Sequence, residues 1–465
     1  MLRPVLIAGL LGFPWFVVPV ASQQNLLPQL SLDAAGACRQ LSVRDRDTDA
    51  LVPMGCLSAG KWRLPSNGVT VLPEGEATLG NAFASRQKVF RFDPRVYGAT
   101  CNGSGVGDDD GLATALSALQ AVGGGALLLP GRCVISQPKT LTGVPIAIVG
   151  DGLAVSQLVG SASFPTGGRF LLRIDIRNGS DATVSVSGVS FRTLQAENAN
   201  GLQIEAVQSN LEERVQISHT EFRGVDPGLH GFSYGVQFKN VNTPKVSNVT
   251  VTGRQSANGG PASLTNMDVC FDIANTLPGM TNYVFSDTRC NAAKKAYSVT
   301  GYMEGLYCGR CINVAVGYGW YMRPGQPTPL VNIFSSHTDF FNAAVDIADF
   351  TQGAYYGNLF YHRADATANG VCYQMERVKE SQILGGECVN YANATSLAAV
   401  VWSASSDNIV GDMILSKVNT GVVNLNGSTG NVYRRGRWIN VPAGAGEHGN
   451  GGDRANVCIG YNAAC

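Results

Sequence analysis

Along most of the chain, apolar and polar residues alternate in short runs, the signature of half-buried β-strands. One group of runs follows a Gly or another small residue: Tyr234–Phe238, Val269–Ile273, Ala296–Val299, Gly319–Met322, Ala344–Ile347, Gly370–Tyr373, Val400–Trp402 and Gly421–Asn424. With Phe238, Phe271, Val299, Tyr321, Ile347, Tyr373, Trp402 and Asn424 as marks, the run recurs every 22 to 33 residues. A second group lies between them: Val215–Phe222, Val246–Val251, Tyr283–Cys290, Leu306–Cys311, Val331–Phe340, Asn358–His362, Ser381–Leu384 and Asn408–Ile414. This two-beat repeat has the length of one turn of a parallel β-helix, in which a coil cannot bury its inner face alone and stacked coils share one core. Antiparallel hairpins in a sandwich are disfavoured, because regular Asn-Gly turns between adjacent short strands are scarce.

The pattern changes near residue 90. Phe92–Ala99 reads as a short strand, and Gly107-Asp108-Asp109-Asp110-Gly111 follows in a glycine-rich loop. From about Leu112 to Val122, Leu112, Ala115, Leu116 and Leu119 fall on one helical face. Gly123–Gly125 end that helix, and the apolar run Ala126–Leu129 precedes Pro130-Gly131-Arg132. The three aspartates suit a helix start, where carboxylates accept from orphan N–H groups and meet the positive dipole end. The same glycines resemble a phosphate loop only loosely, since its Lys and Ser/Thr are missing.

This order of elements resembles the opening of the pectate lyase-like superfamily. The resemblance implies an all-β, right-handed parallel β-helix (a solenoid) with an N-terminal capping helix, a structural role for Asp108–Asp110, and an activity on carbohydrate. Members of that superfamily often form trimers, so a homotrimer is an expectation here. Two signatures of its enzymes are absent: the Asn-x-Asp, Asp-Asp, His-Gly, Arg-x-Lys series of polygalacturonase-like members, and the Trp-x-Asp-His-type motif of classical pectate lyases, which Val401-Trp402-Ser403 does not continue.

Composition narrows the picture. The 465 residues include 56 glycines, 15% charged residues and a formal net charge of zero, so no basic excess exists to hold nucleic acid. Arg3 followed by the apolar run Val5–Ala21, broken by Pro14 and Pro19, reads as a secretory signal peptide over residues 1–22 rather than a membrane anchor. Residues 23–90 lack a clear period and read as an N-terminal module or wrap. Residues 91–440 carry the β-helix with its cap, and 441–465 form a C-terminal tail closed by a disulfide. All twelve cysteines follow the leader, as in a secreted protein, extracellular or periplasmic. Their spacing suggests pairs Cys38–Cys56, Cys101–Cys133, Cys270–Cys290, Cys372–Cys388 and Cys458–Cys465, leaving Cys308 and Cys311 of Cys-Gly-Arg-Cys for each other. A metal reading of that motif lacks a second ligand pair at zinc spacing.

The candidate chemistry follows from stacking, because outward residues on successive coils form columns about 4.8 Å apart. The second group of runs supplies one such column: Asp287 and Arg289, Arg310, His337 and Asp339, then His362, Arg363 and Asp365. Asp287, Asp339, Asp365 and His337 are the catalytic candidates. Arg289, Arg310, His362, Arg363, Trp320 and Tyr361 are the substrate-binding ones, aromatic rings offering flat apolar faces to sugars. Asp268, Asp272, Glu304 and Asp346 are further acids. Paired carboxylates suggest glycoside hydrolysis of an extracellular polysaccharide, with one acid protonating the leaving oxygen and another activating water or attacking carbon. A lyase acting on a uronate polymer, with bound calcium, and a non-catalytic glycan-binding adhesin or tailspike-like protein are the alternatives. Hydrolysis needs no cofactor and no resident metal.

Overall fold

A computed structural model describes residues 90–439 apart from 177–181, 197, 207–213, 257–268, 279, 393 and 435, together with the backbone of several strands on either side. The chain divides into two compact units, Met1–Val89 and Phe90–Cys465. In the first, the strands Gln29–Leu32, Arg39–Arg44, Leu51–Ser58 and Lys61–Arg63 pair antiparallel in sequence order.

The second unit is a right-handed parallel β-helix. Its coils have three faces rather than two. The first face runs through Gly125–Leu129, Ile146–Gly150 and Val184–Ser187 to Glu304–Gly309, Val331–Phe334, Ala354–Tyr356 and Gln382–Leu384. The second includes Arg132–Ile135, Gln157–Gly160, Arg289–Asn291, Leu359–His362 and Glu387–Asn390. The third includes Arg169–Ile176, Ala199–Ala206, Phe232–Lys239, Val269–Ala274, Lys295–Thr300, Gly370–Glu376 and Leu397–Ser403. Two long strands, Ile312–Arg323 and His337–Ala348, bend from the second face onto the third.

The missing beat was hidden by the tightness of one corner. Between the first and second faces the chain turns within two residues, the first held at positive φ: His219, Asn248, Asp287, Arg310, Ser335, Gly357, Gly385 and Asp412. The N–H of each corner residue from Asp287 to Gly385 donates to the carbonyl of the next coil's last first-face residue, as from Arg310 to Phe334 at 3.1 Å and from Ser335 to Tyr356 at 2.9 Å. The following residue turns inward: Thr288, Cys311, Ser336 and Asn358 are buried. Hydrogen bonds climb this inner ladder, from Cys311 N to Ser336 Oγ at 3.1 Å and from Ser336 N to Asn358 Oδ1 at 3.1 Å. Non-glycine residues in the left-handed region carry no turn motif of their own, so one run spans both faces in the sequence.

The core is a file of stacked rings. Phe271 lies on Tyr297 with centroids 5.0 Å apart, and Tyr297 on Trp320 at 5.7 Å. Trp320, Phe360 and Tyr373 continue the file. Each such pair contributes about 0.5–1.5 kcal/mol beyond its area burial. Four disulfides join buried cysteines, Cys101–Cys133, Cys270–Cys290, Cys308–Cys311 and Cys372–Cys388, all at the expected pairings. Cys38, Cys465 and the side chains of Cys56 and Cys458 lie outside the described residues, as do residues 1–22, expected to be a leader, and most of the tail.

The helix Asp108–Ala121 closes the N-terminal end, burying Leu112, Ala115, Leu116 and Leu119. Its aspartates do not cap their own helix. Asp108 is fully buried, and its carboxylate accepts the N–H groups of Thr100, Cys101 and Val134, each at 2.8 Å. Asp109 accepts from Ser136 N at 2.8 Å and pairs with Lys139 at 2.8 Å. These two acids bolt the helix to the first coil. Gly111 is required for the close approach, since a Cβ there would lie 2.3 Å from Ala99 N.

Candidate functional site

The columns are set by the register of the third face, where alternate residues point out. Phe238, Ile273, Val299, Met322, Ile347 and Met375 point inward in one file and are fully buried. The residue before each points outward: Gln237, Asp272, Ser298, Tyr321, Asp346 and Gln374. A polymer lying along the stack would meet one of these side chains about every 4.8 Å.

Two acids in this outward file are nevertheless buried, Asp272 at 6% exposure and Asp346 at 8%. Long neighbours lie across them. Lys295 Nζ sits 3.8 Å from the Tyr321 ring centroid, Tyr318 packs edge-on against Tyr321 at 5.2 Å, and Arg323 lies 5.7 Å from the same ring. Asp272 accepts from Gln237 Nε2 at 2.7 Å. Burial pushes its pKa up, against the hydrogen bonds from Gln237 and Ser298 and the nearby charge of Lys295. The same cause raises Asp346, where desolvation outweighs the attraction of Arg323.

Arg323 organises the centre of this outward file. Its two terminal nitrogens bond different carboxylates, Nη2 to Asp346 and Nη1 to Glu376. Burial works against the Arg323 charge, but these two acids outweigh it and raise its pKa. Glu376 is also bonded by Arg377, which in turn clamps Asp349 through Nε at 2.6 Å and Nη2 at 2.9 Å. The hydrogen bond from Arg323, helped by Arg377, holds Glu376 below the usual carboxylate range. One guanidinium therefore joins a carboxyl biased toward its protonated form and another biased toward its charged form. Such a pair divides naturally into proton donor and anion. Tyr318, beside them, is pushed up by burial and by the charge of Asp346. Asp272 lies three strands from Asp346, about 14 Å away at the usual strand spacing, beyond direct partnership with it.

The first-choice column does not assemble. Asp287 stands at the tight corner, where Arg310 of the next coil donates to it from Nε and Nη2, both at 2.6 Å, and those bonds lower its pKa. The corner residue after Arg310 is Ser335, so Asp339 does not continue the file. On the second face Asp339 is in register with Tyr361, not with Asp365. Asp365 follows the strand end and is held low by the adjacent Arg363, whose Nε donates to it at 2.8 Å. Arg289 is exposed and donates to Asn291 at 3.0 Å. Glu304 begins a first-face strand opposite Thr281. Asp268 lies outside the described residues.

Two expected sugar contacts face the wrong way. Trp320 is fully buried in the ring file, and His362 is fully buried between Asn390 Oδ1 at 3.1 Å and the Phe341 carbonyl at 3.2 Å. His337, Asp339 and Tyr361 do face outward, on the second face. The residues missed in the sequence are Lys295, Tyr318, Tyr321, Arg323 and Glu376. The signal that would have found them is the residue preceding the inward apolar file, but marks at Phe271, Tyr321 and Tyr373 stand one or two places from the true file of Ile273, Met322 and Met375. Among the described residues, no group of three or more His, Cys, Asp or Glu gathers at metal-binding spacing.

No family model and no curated protein matches this sequence. Several solved structures are similar. Tailspike protein 3 of bacteriophage CBA120 superposes with a TM-score of 0.51 at 11% identity, covering 92% of this chain and 75% of that one. The A-module of the Azotobacter vinelandii mannuronan C-5 epimerase AlgE4 gives a TM-score of 0.48 at 13% identity, covering 80% of this chain and all of that one. The catalytic domain of a GH87 α-1,3-glucanase in complex with nigerose gives 0.41 at 10%, covering 75% and 66%. At these identities the tailspike likeness speaks to the fold, the parallel β-helix expected from the pectate lyase-like resemblance.

Proposed function

We propose that the protein is a glycoside hydrolase that binds a polysaccharide along the third face and cleaves it between Asp346 and Glu376. The observation carrying this reading is the pair of carboxyls on Arg323 whose surroundings push their protonation apart. Asp346, raised by burial, serves as the general acid that protonates the leaving oxygen. Glu376, kept ionised by Arg323 and Arg377, serves as the anion facing the developing positive charge, as nucleophile or as base for water. Gln237, Asp272, Ser298 and Gln374 supply hydrogen bonds to hydroxyls along the chain. Tyr321 and Tyr318 supply the apolar surface.

A lyase would need a cation left over to neutralise a uronate carboxylate. Arg323 is already committed to two acids and Lys295 lies over the Tyr321 ring beside Asp272 and Asp346, which favours hydrolysis. Four disulfides support an oxidising compartment and hence secretion. No helix among the described residues is long and apolar enough to cross a membrane.

The test is incubation with a panel of neutral and acidic polysaccharides, read as new reducing ends and as ultraviolet absorbance of an unsaturated uronate. Reducing ends without that absorbance, lost in Asp346→Asn, are the expected result. The absorbance would establish the lyase instead. Retention of glycan with no cleavage by the unaltered chain would make the protein a binder.

A further inference from the structure

The second face carries an outward set of side chains that the third-face site does not use. Here the strands His337–Phe340, Leu359–His362 and Glu387–Asn390 lie side by side, with Asp339 opposite Tyr361 and Leu359 opposite Glu387. Three rings form a diagonal strip across these coils: His337 to Tyr361 at 5.0 Å between centroids, and Tyr361 to Tyr391 at 5.7 Å. Tyr391 is half exposed, and Leu359 and Ile312 extend the apolar surface at 39% and 40% exposure.

Two of the three rings are set by carboxylates. His337 Nε2 meets Asp339 Oδ1 at 2.9 Å, and the Tyr361 hydroxyl donates to Glu387 Oε2 at 3.1 Å. Burial and the neighbouring Glu387 push the Tyr361 phenol up to about 12, so it remains a donor. Among the described residues no Lys or Arg pairs with Asp339 or Glu387; Arg289, on a second-face strand, and Arg363, just beyond one, bond Asn291 and Asp365 instead.

We propose that this strip is a second glycan-binding surface, separate from the site of the third face, that takes a neutral sugar chain. The choice of a sugar rests in part on the carbohydrate reading above. The strip adds its own reasons. Flat rings 5 to 6 Å apart present apolar faces to the C–H faces of successive sugars. Asp339 and Glu387 each keep oxygen acceptors for hydroxyls. A protein partner would have to desolvate both carboxylates without a matching cation, and protein interfaces are depleted of such acids at their centres. An anionic polymer would meet like charge.

Affinity electrophoresis of the full chain in gels containing laminarin, xylan, galactomannan or dextran, with polygalacturonate as the anionic arm, tests this without relying on turnover. The expected result is retardation by at least one neutral polymer and none by polygalacturonate. Tyr391→Ala should weaken that retardation fivefold or more, and Tyr391→Phe should keep it within twofold. Glu387→Arg offers a second disruption, which removes an acceptor without removing a ring, and thermal unfolding checks that each variant folds. Retardation by no neutral polymer, retardation by polygalacturonate alone, or an undiminished Tyr391→Ala would each overturn the proposal. Loss of retardation in Tyr391→Ala from a chain that cuts nothing would uphold this surface while removing the hydrolase reading.

Discussion

The acids of the third face and the exposed acids at the ends of first- and second-face strands occupy the same stretch of solenoid, yet they are different chemical objects. Asp272 and Asp346 lie under tyrosine, lysine and arginine side chains, and burial raises their pKa values. Asp287 and Asp365 sit in water beside arginines that lower theirs. The strand ends hold charge cheaply because each acid is solvated and paired. The third face holds carboxyls at a cost in stability, which is where a proton donor for chemistry near neutral pH is found. A file of charged residues along a solenoid is therefore weak evidence of a site until the solvent around it is known.

This contrast can be broken in four ways. Asp346→Asn should cut turnover about 100- to 10,000-fold, the usual contribution of a positioned acid. In the unaltered chain activity should fall at low pH as Glu376 takes up a proton and at high pH as Asp346 loses one. The alkaline limb should vanish in Asp346→Asn, and a pH profile of residual activity checks it.

Trp320→Ala should cost about 3–5 kcal/mol of stability, because the indole fills the core rather than a sugar subsite. Urea unfolding measures it, and a stable Trp320→Ala with weakened glycan binding would place the ring outside after all.

Asp272→Asn tests burial directly. A folded-state pKa raised above the unfolded value means that the fold is most favoured while the carboxyl is protonated, and loses that advantage as pH rises through the raised value. The amide removes the charge, so the variant should melt at a higher temperature than the unaltered chain at pH 7. Below the ordinary aspartate range the difference should close, and thermal melts across pH would show it. The smallest effect is reserved for Asp287→Asn. It should leave both cleavage and melting temperature near those of the unaltered chain, since exposed pairs contribute little. A large loss of cleavage would return the corner to the active site.

The capping segment and the third-face runs were legible in the sequence because both are local patterns: a helical period closed by glycines, and apolar runs after small residues. The first and second faces merged because their corner needs only one residue at positive φ, a role taken by His219, Asn248, Asp287, Arg310 and Ser335 without any shared residue type. The merger carried a further consequence. With the corner unseen, Asp287, Arg310 and Asp339 read as one column, although they occupy a turn, a turn and a strand.

By itself, then, the sequence determined the parallel solenoid and its capped end and suggested the four described disulfide pairings, since these depend on repeat length, periodicity and close spacing along the chain. The tertiary structure alone decided which side of each strand a residue occupies. It turned Trp320 and His362 inward and set Asp346 and Glu376 on one guanidinium. The physical reason is the two-residue period of a strand: a slip of one place, which no single sequence can exclude, exchanges core for solvent. The protonation of an acid follows from that exchange.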